Sequence, residues 1–570
     1  MIKKEQWLNH LIYATPVEGY GNRISSFLIS LEAWRRGIGV KYYTIDNPDN
    51  KLLIRYSLTH NNRTLHFNAA LSKQMSEKAF DICEDKFLTK KYLSENGIRV
   101  PMGVKIKKGI DLEYLVEVAE KLTYPLVMKP VNEKAGKGVF SNITDEEMLL
   151  EIFSHLTNDL GYKELLLEEF VEGEEHRILV VGTKVVGIVK RVPANILGNG
   201  KDTIKELIRA KNKSKKRNPV IHKKTIVIDR EVENQLIHAG YELTDILEEG
   251  KRIFLRTKSN ISAGGDPIDV MDEVDYSVIE MAENAVQAIP GLEVSGIDMI
   301  IDPVTKEKVI IEINTRPMIG IHVFPEGGKP RDVVKEIIDF YFPETKNIER
   351  SKLYFDFGRI TRGLDGIATK EIDLIKITPQ HYFAKRFLIS IKKGKQRLRS
   401  IIRRKARSLG LYGHAKGAGG TLLEVVLAST EKENIENFFT NHLDGLELSY
   451  EITLSENWDY SINLGFKTAN YSDNITLLES YIEDSKRKKE ILTKKHQEKV
   501  NHLNLKLDKT KNQVSVYKKS YLQIEKEVNQ LKEEKEKNQQ LIRNQKKEIK
   551  KLKDSINNTL YRRLFKSKRI

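Results

Sequence analysis

Between about residues 20 and 345 the chain alternates two kinds of hydrophobic pattern. "RISSFLISLEAWRRG" (23–37) spaces its apolar residues three and four apart and predicts a helix; "IGVKYYTI" (38–45) is a short apolar run and predicts a strand. Further runs, "YPLVMKP", "ELLLEEF", "VSGIDMIID" and "KVIIEIN", add strands as far as Asn314, so this body reads as mixed α+β. Residues 346–380 carry little pattern and read as a connector. From 381 to 467 the order is strand ("RFLISIKK"), helix ("LRSIIRRKARSLG"), strand or turn, strand ("TLLEVVLAST"), helix ("KENIENFFTNHL") and closing strand, that of a small ferredoxin-like sandwich. From 475 to 560 the chain is rich in Lys, Glu, Gln and Asn. Stepping three and four residues from Val500 meets Leu503, Leu507, Val514, Ile524, Val528 and so on to Ile556, with polar interruptions such as Asn538. A 3.5-residue period held over about eight heptads predicts a coiled coil, hence a homo-oligomer or a partner helix. Residues 561–570 form a basic tail.

Charge sharpens this division. Residues 481–570 hold 27 Lys and Arg against 12 Asp and Glu, a surplus of 15 that nearly exhausts the chain's net +16. The body is close to neutral, so no nucleic-acid partner is expected; the tail could touch an anionic membrane surface. Cys83 is the only cysteine, which excludes an internal disulfide and a cysteine-based zinc site and fits a reducing compartment. With no run of about 18 apolar residues, a cytoplasmic protein is expected.

Chemistry concentrates in the body. In "KVIIEINTRP", Glu312 and Asn314 lie two apart on a strand and share a face. Some fourteen residues earlier, "VSGIDMIID" carries Asp298, and the turn "DPVTKEK" between the two runs predicts a hairpin that brings all three together. Two carboxylates and an amide oxygen suit Mg²⁺, which takes one or two carboxylates and completes its shell with water and phosphate. Such a site suggests a nucleotide. "YPLVMKPVNEKAGKGVF" supplies Lys129 at a strand end and a loop with Gly136, Lys137 and Gly138, able to bring backbone N–H groups to phosphate; it matches neither a Walker A nor a Rossmann fingerprint. "ELLLEEFVEGEEHRI" places Glu168, Val171 and Glu175 where backbone could pair with adenine and a carboxylate could accept ribose hydroxyls, although an ordinary acidic turn reads the same.

The order of these pieces, beginning with Lys86 in "DKFLTKKYLSENGIRVP", resembles the ATP-grasp family. Over about residues 32–343 the chain is similar to the ATP-grasp domains of cyanophycin synthetase and bifunctional glutathione synthetase, including the phrases "SNISAGGDPIDVMDEVD" and "GGKPRDVVKEIIDFYFP". The resemblance implies a pre-ATP-grasp α/β region (1–85) and an ATP-grasp domain (86–345). It implies ATP between two lobes, with Lys86 and Lys129 on phosphates and the Gly136–Gly138 loop over the γ-phosphate. Glu168 and Val171 would hold adenine, Glu175 the ribose, and Asp298, Glu312 and Asn314 one or two Mg²⁺, or Mn²⁺. Arg256, Asn260, Gly264 and Gly265 match the region around substrate and acyl phosphate. The implied activity is ligation of a carboxylate to an amine, an amino acid or a peptide, with release of ADP. One departure stands out: many D-alanine ligase relatives have an arginine two residues before the metal aspartate, where this chain has Gly296. The 381–467 unit resembles an acylphosphatase domain with Arg399 at its phosphate-binding position, but Gly417 replaces the water-orienting asparagine, which predicts a degenerate domain. A nucleotide-binding scaffold acting through the coiled coil and an acylphosphatase-type hydrolase are the alternatives.

Overall fold

The computed structural model describes residues 7–46, 53–131, 137–365, 369–418, 420–443, 449–469 and 475–566. They fall into two compact units, 1–476 and 477–570. The first unit opens with helix α1 (Ile24–Arg35), nearly all of it buried, followed by β1 (Gly39–Ile45), β2 (Leu53–His60), β3 (Arg63–Asn68) and β4 (Leu71–Ser72), which form one antiparallel sheet in that order. The helix is apolar all round because it lies inside a core, not on a surface. Helices α2 (Glu77–Glu84) and α3 (Lys86–Glu95) follow. Asp85 starts α3 by accepting hydrogen bonds from the N–H groups of Phe87 and Leu88.

Two sheets then build the part that carries the expected site. The first takes β5 (Gly103–Lys107), β6 (Leu126–Pro130), β7 (Phe140–Ile143) and β8 (Glu164–Glu169) in the order β5-β8-β6-β7, covered by α4 (Leu112–Leu122) and α5 (Glu146–Ser154). The second takes β9 (Glu174–Val181), β10 (Lys184–Val192), β13 (Asp266–Asp269), β14 (Val294–Ile301) and β15 (Lys308–Asn314) in the order β13-β10-β9-β14-β15. Between β10 and β13 a small subdomain pairs β11 (Asn195–Leu197) with β12 (Arg252–Phe254) under helices α6 (Ile204–Lys215) and α7 (Arg230–His238). One face of the second sheet packs on α2, α3 and α8 (Tyr276–Gln287); the other meets α9 (Gly320–Val323) and α10 (Val333–Tyr341).

The stretch 346–380 is more than a connector. It contains β16 (Leu353–Tyr354), helix α11 (Phe357–Leu364) and β17 (Glu371–Asp373), and β17 extends the N-terminal sheet by pairing with β1. The sequence hides this because the strands are two and three residues long, too short for periodicity to register. The next unit has β18 (Phe383–Ile391), α12 (Lys395–Ser408), β19 (Tyr412–Gly417), β20 (Leu422–Ser429), α13 (Glu433–Glu436), α14 (Phe438–Leu443) and β21 (Tyr450–Asn457). Its sheet order β21-β18-β20-β19 is that of a ferredoxin-like sandwich, extended by β23 (Phe466–Ala469) beside β19. The short β22 (Ile462–Asn463) pairs with β16 instead. Val426 and Ala428 on the sheet, with the nearby Trp458, join the N-terminal core, so that face of the sandwich is used for packing. The second unit is helix α15 (Ile475–Lys566). Among the described residues no helix is long and apolar enough to cross a membrane.

Arg35 ties these segments together. Fully buried at the end of α1, it donates to the carbonyls of Leu353 (2.7 Å) and His10 (2.9 Å) and to Ser461 Oγ (2.9 Å). Arg350 Nη1 sits 2.7 Å from His10 Nε2. Burial, then the charges of Arg350 and Arg35, pull the His10 pKa from its ordinary 6.5 down to about 2. Between those values the unfolded chain binds a proton that the folded one refuses. The contribution is therefore whole above about pH 6.5 and is lost on acidification, by at most about 1.4 kcal/mol per pH unit. Thermal melts from pH 7 to pH 4 should show a shallower fall for His10→Gln than for the wild-type chain; parallel curves would contradict this.

Candidate active site

The site grows from the hairpin β14–β15. The strands pair antiparallel with Asp298 opposite Glu312 and Gly296 opposite Asn314, while Ile297 and Ile313 point into the core on the other face. Ile311 is an extra residue, since Met299 pairs with Ile310, and the resulting bulge re-aims the end of β15. The three expected metal residues thus share one face. β9 runs beside β14 with Arg177 opposite Asp298. Arg177 grips the Asp298 carboxylate through Nε and through Nη2 (2.9 Å), and Arg191 Nη2 from β10 adds a third contact at 3.1 Å. Asn314 Nδ2 lies 3.5 Å from Asp298 Oδ2. Asp298 is only 4% exposed, and these guanidiniums replace the hydration its carboxylate loses on burial. Arg191 also pairs with Glu175, the expected ribose residue, whose pKa burial raises against the opposing pull of Arg191.

Gly296 now has a physical account. A Cβ there would lie 3.2 Å from Arg177 Cδ and Nη1 and 3.0 Å from Pro317 Cβ. The space above Gly296 is filled by a guanidinium supplied from the neighbouring strand. Below the pair, His322 is fully buried, and neither ring nitrogen has a hydrogen-bond partner among the described residues; burial, then Arg177 and Arg191, lower its pKa to about 3.

The first sheet brings positive charge. Glu168 on β8 is 2% exposed and shared by two lysines, Lys90 from α3 and Lys129 from β6, the latter at 2.6 Å. One carboxylate between two ammoniums leaves a net positive pocket. Burial pulls Lys129 down to about 8 and Lys90 well below its ordinary value. The charge of Glu312 on β15 acts on Lys129 of the first sheet and on Lys90 of α3, and Lys86 Nζ, also from α3, lies 4.0 Å from Glu312. The Glu168 side chain is thus spent on lysines, and any contact it makes with a base must come from its backbone; Val171 lies just past the end of β8. Gly136 lies outside the described residues. Gly138 follows Lys137 with φ +69° and packs on Pro130, a conformation and a contact that favour glycine.

The expected substrate-side residues sit apart from the metal face. Arg256 is held by Asp229 (2.5 Å) and Glu231. Asn260 caps a short turn by accepting from Ser262 N–H at 2.9 Å. Gly264 has φ +100°, and the carbonyl of Gly265 accepts from the buried Lys215 Nζ at 2.9 Å. This loop still reaches the glycine loop, because Lys258 Nζ donates to the Val139 carbonyl at 3.3 Å. In the ferredoxin-like unit Arg399 lies in the first turns of α12. Lys395 Nζ donates to the Gly420 carbonyl at 2.8 Å and comes within 3.5 Å of where a Gly417 Cβ would be, covering the place where a water-orienting amide would stand.

Motif spacing picks out none of Lys90, Arg177, Arg191 or His322. A signal exists for three: Arg177 and Arg191 interrupt otherwise apolar strand runs, and Lys90 lies one helical turn after Lys86. Two carboxylates and an amide oxygen on one face are hard donors of the kind Mg²⁺ takes, and the half-exposed Glu312 is the most available of them. Among the described residues no three His, Cys, Asp or Glu converge, so an ion here would depend on Asn314 and on phosphate oxygens for the rest of its shell. On that donor chemistry the residues fit the ion.

Residues 83–319 match the model of the ATP-grasp domain. The chain is 33% identical over 285 residues to a cyanophycin synthetase of Geminocystis herdmanii, covering 48% of this chain and 32% of that protein. It is 34% identical over 335 residues to the glutathione biosynthesis bifunctional protein GshAB of Clostridium perfringens, covering 56% and 41%. A crystal structure of a bifunctional glutathione synthetase from Pasteurella multocida aligns with TM-score 0.41 at 25% identity, over 56% of this chain and 44% of that one. The chain thus spans about a third to two fifths of the length of these relatives. Residues 83–319 of this chain are an ATP-grasp domain, set in a longer stretch similar to parts of cyanophycin synthetases and bifunctional glutathione synthetases.

Proposed function

We propose that the protein is an ATP-dependent ligase that joins a carboxylate to an amine through an acyl phosphate. The observation that carries this reading is the meeting of Asp298, Glu312 and Asn314 with the Lys90–Glu168–Lys129 cluster across two sheets. ATP would lie between the sheets, with its phosphates drawn by the surplus charge of Lys86, Lys90 and Lys129. Mg²⁺ bound to Glu312, Asn314 and Asp298 would supply charge neutralisation at the phosphates. A substrate carboxylate oxygen attacks the γ-phosphorus, the bond to the β-phosphate oxygen breaks, and ADP leaves. The amine nitrogen then attacks the acyl carbon, phosphate departs, and the nitrogen loses a proton. Arg177 and Arg191 hold Asp298 in place and add fixed positive charge where the acyl phosphate forms. The loop with Arg256, Asn260, Gly264 and Gly265 would close over substrate, and Val171 and Glu175 would contact the nucleoside. Hydrolysis by the ferredoxin-like unit is disfavoured by Gly417 and the lysine covering it.

Helix α15 supports self-association. Taking Val500 as position a, the a series contains Val514, Val528, Ile542 and Ile549 and the d series Leu503, Leu531 and Leu552, the arrangement that favours two parallel strands. These side chains are 42–64% exposed on the lone helix, an apolar seam that a second copy would cover. In a parallel pair Glu527 faces Lys532 and Glu548 faces Lys553, whereas antiparallel strands would set the lysine-rich e positions against each other.

Two measurements follow. Purified protein with Mg-ATP should release ADP in response to a pool of amino acids and short peptides, and Glu312→Ala should lower that rate about 100-fold or more; tight ATP binding with no stimulation by any pool would favour a nucleotide-binding scaffold. Sedimentation should find dimers for the wild-type chain and monomers for a Val528→Lys/Ile542→Lys variant, while a monomeric wild-type chain would refute the coiled-coil reading.

A further inference from the structure

A cavity of about 470 Å³ opens between the N-terminal sheet and helix α2, a volume typical of small-molecule sites. Its walls divide by chemistry. Phe67, Leu71, Met75 and Phe80 make an apolar lining. Arg55 on β2, half-buried, also lines the cavity; Arg55 donates to the carbonyl of its neighbour Ile54 (3.0 Å) and has no acidic partner among the described residues. Glu77 and Asp81, on successive turns of α2, and Lys73 also line it.

The cavity adjoins the candidate active site. Helix α2 packs against β15, the strand of Glu312 and Asn314, and leads directly into α3, which begins with Lys86. A half-buried guanidinium with no described carboxylate beside it forms a place where an anion would be stabilised.

Resting on the ligase reading above, we infer that this cavity binds the carboxylate substrate, an α-amino acid or short peptide with an apolar side chain. The side chain fills the lining of Phe67, Leu71, Met75 and Phe80, the ammonium meets Glu77 or Asp81, and the carboxylate pairs with Arg55. Zwitterions with charged side chains bind more weakly because Phe67, Leu71, Met75 and Phe80 would strip water from a second charge.

Calorimetric titration of the full chain, without nucleotide, with L-leucine, L-phenylalanine, L-aspartate and L-lysine tests the site apart from turnover. The two apolar amino acids should bind, the two charged ones at least tenfold more weakly, and Arg55→Gln should weaken the apolar ones at least tenfold with ATP affinity unchanged. Leu71→Trp, which fills the cavity, should abolish their binding with an unaltered thermal midpoint. In ADP-release assays the same two variants should raise KM for the apolar substrate more than they lower kcat. Failure of the apolar amino acids to bind, equal binding of all four, or indifference of both variants would overturn the cavity assignment. Turnover with a charged substrate and unaffected by Arg55→Gln would overturn it while leaving the ligase standing; binding as expected with no ADP release under any condition would sustain the cavity and reject the ligase.

Discussion

One buried carboxylate organises the site. Asp298 lies in the middle of a five-stranded sheet, and an ion there is costly unless its charge is met at close range. Arg177 from β9 and Arg191 from β10 meet it, and they can do so only because three antiparallel strands put these residues in register. The consequences spread outward. Arg191 also fixes Glu175, Arg177 occupies the space left by Gly296, and His322 beneath them is kept neutral. Removing one partner would leave an uncompensated charge in the core, so the cluster behaves as a unit.

The charges facing Asp298 have the opposite balance. Across the gap, Lys90 and Lys129 share one Glu168, and Lys86 approaches Glu312. One side thus offers oxygen donors and the other surplus ammonium, with the glycine loop and Lys258 beside them. A polyanion carrying divalent cations satisfies both sides at once, which is what a metal-bound nucleotide is. Elsewhere in the first unit, Arg35 joins the N-terminal segment, the 353–354 strand and Ser461, and the ferredoxin-like sheet is packed against the same core.

Much of this was legible in the sequence. The hairpin was visible because a long apolar run, a turn signal and a second run are local features, and the i, i+2 spacing of Glu312 and Asn314 fixes their common face. The ferredoxin-like order was visible for the same reason. What stayed hidden depends on contacts between distant segments. Nothing near Gly296 announces that Arg177, more than a hundred residues earlier, fills its missing side chain. β17 is three residues long and owes its existence to the edge of β1, and the pairing of Glu168 with two lysines joins three separate elements. The resemblance gave Glu168 to adenine and Glu175 to ribose but not their ion-pair partners: one is shared by two lysines and the other is bound by an arginine.

If the Asp298 face is a metal-nucleotide site, the affinity for ATP must depend on the ion and on the most exposed of its donors. Calorimetric titration with ATP, with and without Mg²⁺, measures this directly for the wild-type chain and for Glu312→Gln. The account predicts that Mg²⁺ tightens ATP binding at least tenfold in the wild-type chain and that this increment disappears in the variant, while metal-free binding, which rests on the lysines, persists in both. ATP affinity indifferent to Mg²⁺, or an increment kept intact in Glu312→Gln, would contradict it.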